Sequence, residues 1–343
     1  MTVRRILVVR LSALGDVVFA SPLIRSLRSR WPDSHIAWLV EPAAASLLTE
    51  HPELNEVLVW DKTRWKTLWR QRQFRQLWRE VREFRTRLRQ GHFDLVLDIQ
   101  GLLKSAVLAW FTGARSRIGF ISKEWTGPLL THRLAKRADT RHIGSEYRGI
   151  AEDLGLPTED FAMEVGLSET DRAVADAERD KGRYAVFAPF TTRPQKHWQM
   201  AYWRQLGALI QERWGLRVVI LGGPGDIEEA RALVADTAME NLAGTLSLRE
   251  SAAIIAEAEL LVGVDTGLTH MGTAFERPTV ALFGSTVPYR ETSSPLTRII
   301  YHDLACAPCR RKPTCNGRYE CMTGIGPEEV MDVIGTLPIT ETV

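Results

Sequence analysis

The chain has no apolar run approaching the ~20 residues that cross a bilayer; stretches such as Ile6 to Val9 and Leu260 to Val264 are far shorter. A transmembrane helix is therefore not expected. Only four cysteines occur in 343 residues, all between 306 and 321, which excludes a disulfide-framed secreted scaffold and points to one local device. Neither the dinucleotide pattern G-x-G-x-x-G nor P-loop spacing occurs, and this argues against a nicotinamide-dependent dehydrogenase. Asp-x-Asp is missing as well. A sugar-nucleotide enzyme built on this chain would have no obvious acidic site for a divalent ion, so protein cations and helix ends would have to neutralise a diphosphate. No repeat of 20 to 50 residues is visible, which disfavours solenoids and propellers. The net charge is only +2, yet this balance hides a polarised distribution. Residues 62 to 89 hold eleven Lys or Arg against Glu80 and Glu83, a local +9 that leaves −7 for the rest.

What is present is ordinary globular composition, 45% hydrophobic and 25% charged, at a length that suggests about two domains. Arg4 and Arg5 precede an apolar stretch in the manner of a secretion signal, but Arg10 and Asp16 interrupt it, so a cytoplasmic start is expected. Short β-branched runs alternate with helical patterns, the signature of βαβ units and parallel sheets. In the first half, strands are expected at 4–9, 35–40, 56–60 and 93–99. One helix is expected from about 17 to 29, on the spacing of Val17, Ala20, Ile24 and Leu27, with others at 42–49 and 102–110. An acidic, helix-prone stretch at 159–181 marks a boundary. Beyond it strands are expected at 184–190, 216–221, 259–264 and 279–283, with helices near 201–213, 228–235, 248–256 and 268–275. The expected organisation is a doubly wound domain over 1–170, a second over 182–325, and a helix or tail over 326–343.

Ligands of open α/β sheets gather at the carboxyl ends of strands, so the loops there carry the argument. Leu11-Ser12-Ala13-Leu14-Gly15-Asp16 follows the first strand, and Asp16 is either a helix N-cap or a carboxylate able to take a proton from a hydroxyl. Thr191-Thr192-Arg193-Pro194-Gln195-Lys196-His197-Trp198 follows the strand ending at Phe190. Two hydroxyls, two cations and an imidazole there outline an anion site, or a solvated turn with Trp198 packing as a staple. Asp265-Thr266-Gly267-Leu268-Thr269-His270 opens a helix whose positive end would face a ligand, with Asp265 or Thr266 as a plain cap the simpler reading. The glycine-rich Leu221-Gly222-Gly223-Pro224-Gly225-Asp226 is weak by itself.

Together these loops resemble the lipopolysaccharide heptosyltransferases, the family 9 glycosyltransferases of GT-B fold, in which two Rossmann-like domains face a central cleft. The resemblance covers nearly the whole chain. It is carried by Ser12-Ala13-Leu14-Gly15-Asp16-Val17, by Asp98-Ile99-Gln100-Gly101-Leu102-Leu103-Lys104-Ser105, by Thr191-Thr192 with Lys196-His197-Trp198, and by Asp265-Thr266-Gly267-Leu268-Thr269-His270 with Arg277-Pro278-Thr279. It implies inverting transfer of heptose from ADP-L-glycero-D-manno-heptose to the Kdo or heptose of a lipid A-linked core, with no cofactor required. Asp16 is then the general base. Thr191, Thr192 and Lys196 hold the donor diphosphate, Thr266, Gly267 and Leu268 face it, and Asp265 and His270 share that loop. Glu228, preferred over Asp226, contacts the ribose. Ser12, Gly15, Arg64, Lys66, Gln100 and Lys104 belong to the acceptor side. A different nucleotide sugar, or a catalytically silent GT-B protein that docks on membrane, are the alternatives.

Between Trp65 and Leu88 the apolar positions Trp65, Trp69, Phe74, Leu77, Trp78, Val81, Phe84 and Leu88 follow a helical stripe among arginines. The segment reads as a contact for a membrane surface or another polyanion, or as a packed helix with a solvated basic face. No nucleic-acid module accompanies the charge, and the lipid-linked acceptor that the resemblance implies makes the cytoplasmic face of the inner membrane the expected site of action. Cys306, Cys309, Cys315 and Cys321, spaced C-x2-C-x5-C-x5-C beside Arg310 and Arg311, could hold zinc or iron or remain free thiols. The cysteines are like those of second-type heptosyltransferases, whereas the Thr191 and Lys196 blocks are like the first type.

Overall fold

Arg5–Val9 is apolar after its first residue, and an all-apolar strand is stable only if both its faces are covered. In the computed structural model, which describes residues 3–137, 139, 141–286, 291–309 and 312–340, it is the central strand β1, with Ile6 to Val9 fully buried. The chain divides into two units, Met1–Asp139 with Gly144–Gly166, and Thr140–Ile143 with Leu167–Val343.

In unit 1, β1 is followed by α1 (Leu14–Ala20), α2 (Pro22–Arg30), β2 (His35–Val40), α3 (Pro42–Thr49), β3 (Glu56–Val59), α4 (Lys62–Arg70), α5 (Phe74–Gln90), β4 (Leu95–Asp98), α6 (Leu103–Phe111), β5 (Ser116–Phe120), β6 (His132–Leu134) and α7 (Ser145–Asp153). The strands form one parallel sheet in the order β3-β2-β1-β4-β5-β6, and Val9 lies between Leu39 and Asp98. The core on one face joins Leu7, Val9, Leu39, Leu58 and Val96 of the sheet to Leu88 of α5 and Leu108 of α6.

The single helix expected over 17–29 is two. Pro22 has no N–H to give the helix and favours a first-turn position, so α1 ends at Ala20 and α2 restarts at Pro22. The stripe from Trp65 to Leu88 is likewise two helices, parted at Gln71 to Gln73, where Arg72 has φ +57°. The break rotates the stripe. Leu88 is buried and Trp65 and Phe84 pack on the core, whereas Trp69, Phe74 and Trp78 are 64%, 45% and 68% exposed.

Unit 2 contains α8 (Glu169–Arg179), β7 (Tyr184–Ala188), α9 (Met200–Trp214), β8 (Arg217–Ile220), α10 (Ile227–Val234), β9 (Glu240–Asn241), α11 (Leu248–Glu257), β10 (Leu260–Val264), α12 (Gly267–Ala274), β11 (Thr279–Phe283), β12 (Thr297–Tyr301), α13 (Glu320–Thr323) and α14 (Pro327–Ile334). Its parallel sheet runs β9-β8-β7-β10-β11-β12, the same order as unit 1. Ser168 and Asp171 cap α8 reciprocally, as Ser247 and Glu250 cap α11. Each such box satisfies two otherwise orphaned N–H groups. Trp203 and Trp214 of α9 lie in the core with Phe187, and α14 packs on α9. Both units are of the GT-B type of α/β domain expected.

Candidate active site

In a sheet ordered 3-2-1-4-5-6 the chain leaves the two central strands in opposite directions, opening a crevice beyond their carboxyl ends. In unit 1 those ends are Val9 and Asp98. The residue after β1, Arg10, turns inward and is 7% exposed. Its Nη1 donates to the Ile99 carbonyl at 3.1 Å, its guanidinium lies 5.6 Å from the Tyr147 ring centroid, and its Nη2 is 2.5 Å from Asp16 Oδ2. Leu11 and Ser12 donate their N–H groups to Gln100 Oε1 at 2.9 and 3.2 Å, fastening the first loop to the one after β4.

Asp16 is not the N-cap. Ala13 occupies that position, and Asp16 is the third helical residue, accepting the Ala13 N–H at 3.1 Å through Oδ2. Oδ2 therefore carries both the cap and the Arg10 charge. Oδ1 accepts no hydrogen bond among the described residues, and the side chain is 35% exposed. Asp98, by contrast, is fully buried. Burial pushes its carboxyl up to about 6, against hydrogen bonds from Ser105 and the Gln100 and Gly101 backbone. Its Oδ1 accepts those two N–H groups while Oδ2 has no partner. Gly101, at φ +71°, makes the turn, a backbone shape unfavourable for residues with a Cβ.

Of the other acceptor-side residues, Ser12 lies half-buried in the first loop, bonded to Gln100, and Gly15 lies half-buried in the first turn of α1. Lys104 is 3.0 Å from Glu41 Oε1, and Lys62 of α4 is 4.0 Å from the same oxygen. Arg64 is exposed and paired with Glu80, and Lys66 is exposed on α4 beyond the edge strand β3. No contact among the described residues joins either of them to Asp16.

Unit 2 builds its site at the corresponding strands, β7 and β10. After β7 the loop closes through His197 Nε2, 2.7 Å from the Thr191 carbonyl, and Trp198 is anchored by Nε1 donating to Ile325 O at 2.9 Å. Trp198 is thus packed as a staple, 4% exposed. Thr191 is half-buried and Thr192 exposed. Lys196 Nζ reaches Asp265 Oδ2 at 2.5 Å and the Asp265 carbonyl at 3.3 Å. Thr286 Oγ1 donates to the same Oδ2 at 2.6 Å, and His270 Nε2 lies 3.3 Å from Oδ1. Although burial raises it, His270 and Lys196 together hold the Asp265 carboxyl well below the usual carboxylate range.

Thr266 takes the N-cap position of α12 without a side-chain cap bond, and Gly267 and Leu268 form the first turn. Behind them the helix lies almost on the sheet. A Cβ at Gly263 would come within 2.1 Å of Thr269 Oγ1, and one at Gly272 within 2.4 Å of Leu261 Cδ2. Asp226 Oδ2 accepts the Gly223 N–H at 2.7 Å, whereas Glu228 is exposed and paired with Arg231.

The family model for glycosyltransferase family 9 (heptosyltransferase) matches residues 81–320. The chain belongs to this family. It is 33% identical to lipopolysaccharide heptosyltransferase 1 of Pseudomonas aeruginosa, over 91% of this chain and 87% of that one. To lipopolysaccharide heptosyltransferase 2 of Escherichia coli it is 26% identical, over 98% and 99%. The solved structure of the E. coli heptosyltransferase WaaC with ADP-2-deoxy-2-fluoro heptose superposes with a TM-score of 0.76 at 26% identity, covering 97% of this chain and 99% of that one. A family 9 structure from Veillonella parvula gives 0.81 at 23% identity, covering 97% and 96%; at that identity the likeness concerns the fold.

As a family 9 member the chain is a glycosyltransferase. Sequence reasoning misses three participants in its sites. Arg10 registers only as an interruption of an apolar stretch, although a charge at a strand exit is itself a signal. Glu41 and Thr286 have no local motif, since their partners are 63 and 21 residues away. The zinc or iron reading of the cysteines finds no support among the described residues. All four thiols are free, with Cys315 and Cys321 buried, and among the described residues no three His, Cys, Asp or Glu side chains are placed to hold a metal. Burial, then the neighbouring Cys309, Cys306 and Cys315, pushes the Cys321 thiol up to about 11. Arg310 and Arg311 lie outside the described residues.

Proposed function

We propose that this transferase moves a heptose from ADP-heptose to the Kdo or heptose of the lipopolysaccharide inner core, by a single inverting displacement at the cytoplasmic face of the inner membrane. The observation that carries the reading is Asp16, whose Oδ1 is free to accept a proton while Oδ2 is fixed by Arg10 and the Ala13 N–H. A base held in one orientation takes the acceptor proton as the C–O bond forms. Lys196, with Thr191 and Thr192, holds the donor diphosphate, and the N–H groups at Thr266, Gly267 and Leu268 face the same charge. Asp265 fixes the Lys196 ammonium from behind, with His270 and Thr286 bracing it. The charge that develops on ADP as it leaves is met by groups already in place. Ser12, Gly15, Gln100, Lys104, Arg64 and Lys66 contact the acceptor, and Glu228 the ribose. The names of the relatives and the ADP-heptose analogue bound to WaaC support ADP-heptose over another nucleotide sugar. The higher identity to a first-type relative favours transfer of the first heptose.

Incubation with ADP-heptose, and separately with UDP-sugars, beside truncated core acceptors tests this. ADP release that depends on one acceptor is expected. Turnover of a UDP-sugar in preference to ADP-heptose would overturn the donor assignment.

A further inference from the structure

Among the described residues, nine large apolar side chains are more than a third exposed, and eight of them belong to unit 1. Trp69, Phe74 and Trp78 stand on α4 and α5, and Trp110 on α6 beside them, its ring 5.4 Å from the Arg85 guanidinium. Trp125, 78% exposed, lies in the loop that packs against the start of α6 through the Glu124 carboxylate and the Leu103 N–H. These side chains are interleaved with cations. Arg70 follows Trp69, Arg75 follows Phe74 and Arg79 follows Trp78. Arg75, Arg79 and Arg82 rim a shallow depression around Trp78. Arg79 has a distant partner in Glu83 at 3.8 Å, but Arg75 and Arg82 have no acidic partner among the described residues.

A protein interface gathers its apolar groups into a core from which charge is depleted. Here aromatics and guanidinium groups alternate over the outer helical layer, the pattern of a bilayer interface, where rings sit at headgroup level and cations meet lipid phosphate. We propose that the outer surface of α4, α5 and α6 docks this protein on an anionic phospholipid bilayer, with Trp78 and Arg75, Arg79 and Arg82 at its centre. This rests on the reading that the acceptor is lipid-anchored, and it names the surface that reaches that lipid.

The test is sedimentation with vesicles of phosphatidylethanolamine and phosphatidylglycerol, beside pure phosphatidylcholine vesicles. The full chain binds the anionic vesicles and not the neutral ones, and 1 M salt releases it. The triple variant Arg75→Gln, Arg79→Gln, Arg82→Gln binds on the order of 100-fold more weakly, at about fivefold per lost cation. Trp78→Ser weakens binding in the same direction, while both variants keep wild-type turnover of a lipid-free core fragment. Wild-type vesicle binding by the triple variant overturns the proposal. So does a concentration-dependent dimer that these substitutions abolish, since the surface then serves a second copy. Failure of the transfer reading is separate: it appears as no turnover of any core fragment, whatever the vesicle result.

Discussion

The two units share one strand order and place their chemistry at equivalent strands, yet they tie those strands' loops together differently. In unit 1 the loops after β1 and β4 are joined by a neutral amide, Gln100 accepting from Leu11 and Ser12, with Arg10 running alongside to a backbone carbonyl. In unit 2 the loops after β7 and β10 are joined by an ion pair, Lys196 on Asp265. The difference fits the roles proposed for the two loops. A base must keep one oxygen free and exposed, so its surroundings are built from groups that leave Asp16 Oδ1 alone. A diphosphate site needs a cation held still, and a buried carboxylate with three partners does that.

The largest expected effect falls on the free oxygen. Asp16→Asn removes the proposed base and lowers kcat by 10² to 10⁴-fold in assays run below a melting temperature that the loss of the Arg10 ion pair also lowers; a mutant within a factor of ten of wild type would detach unit 1 from catalysis. In unit 2 the cost falls on folding. Asp265→Ala strands the Lys196 ammonium and destabilises by about 3–5 kcal/mol in denaturant titration, and a stable variant would mean the ion pair is not what joins these loops.

A carboxyl whose burial outweighs the nearby Arg10 charge behaves in the opposite way. The Asp98 carboxyl is raised in the folded state, so the native protein holds that proton more tightly than the unfolded chain, and stability falls as pH rises from 3.8 to about 6. Asp98→Asn removes that fall. The stability of the variant relative to wild type should climb by roughly 3 kcal/mol across this window, read from urea titrations at several pH values, and a flat difference would refute it. Lys196→Ala is expected to lose roughly 10- to 150-fold in turnover, from a charge-assisted bond worth roughly 1.5–3 kcal/mol. Smallest is Gln100→Ala, which leaves two backbone N–H groups without an acceptor at about 1–2 kcal/mol; a loss as large as that of Asp265→Ala would erase the distinction between amide and ionic ties.

Much of this was legible in the chain itself. β1, β2, β4, β7, β10 and β11 are apolar, β-branched and bounded by turn residues, so the central strands and the loops at their ends could be read directly. The strands β5, β6, β9 and β12 could not. Ser116–Phe120 opens on Ser and Arg, and Glu240–Asn241 is two polar residues; each is a strand because a neighbour supplies its hydrogen bonds. Pairings across long separations were equally hidden. The sequence displays Asp16 and Asp265 in motifs, but that one is shared between a cap and Arg10, and the other saturated by Lys196, Thr286 and His270, depends on where distant residues come to rest.

The two missing methyl groups at Gly263 and Gly272 bear on affinity as well as shape. They let α12 rest with its backbone against the sheet, which leaves its first turn little freedom to lose. Under the proposed donor assignment, a nucleotide arriving there meets donors that are already ordered, so less of the attraction is spent on immobilising protein. Alanine at Gly263 would lever the helix outward and act on nucleotide affinity from behind, without touching the ligand at all.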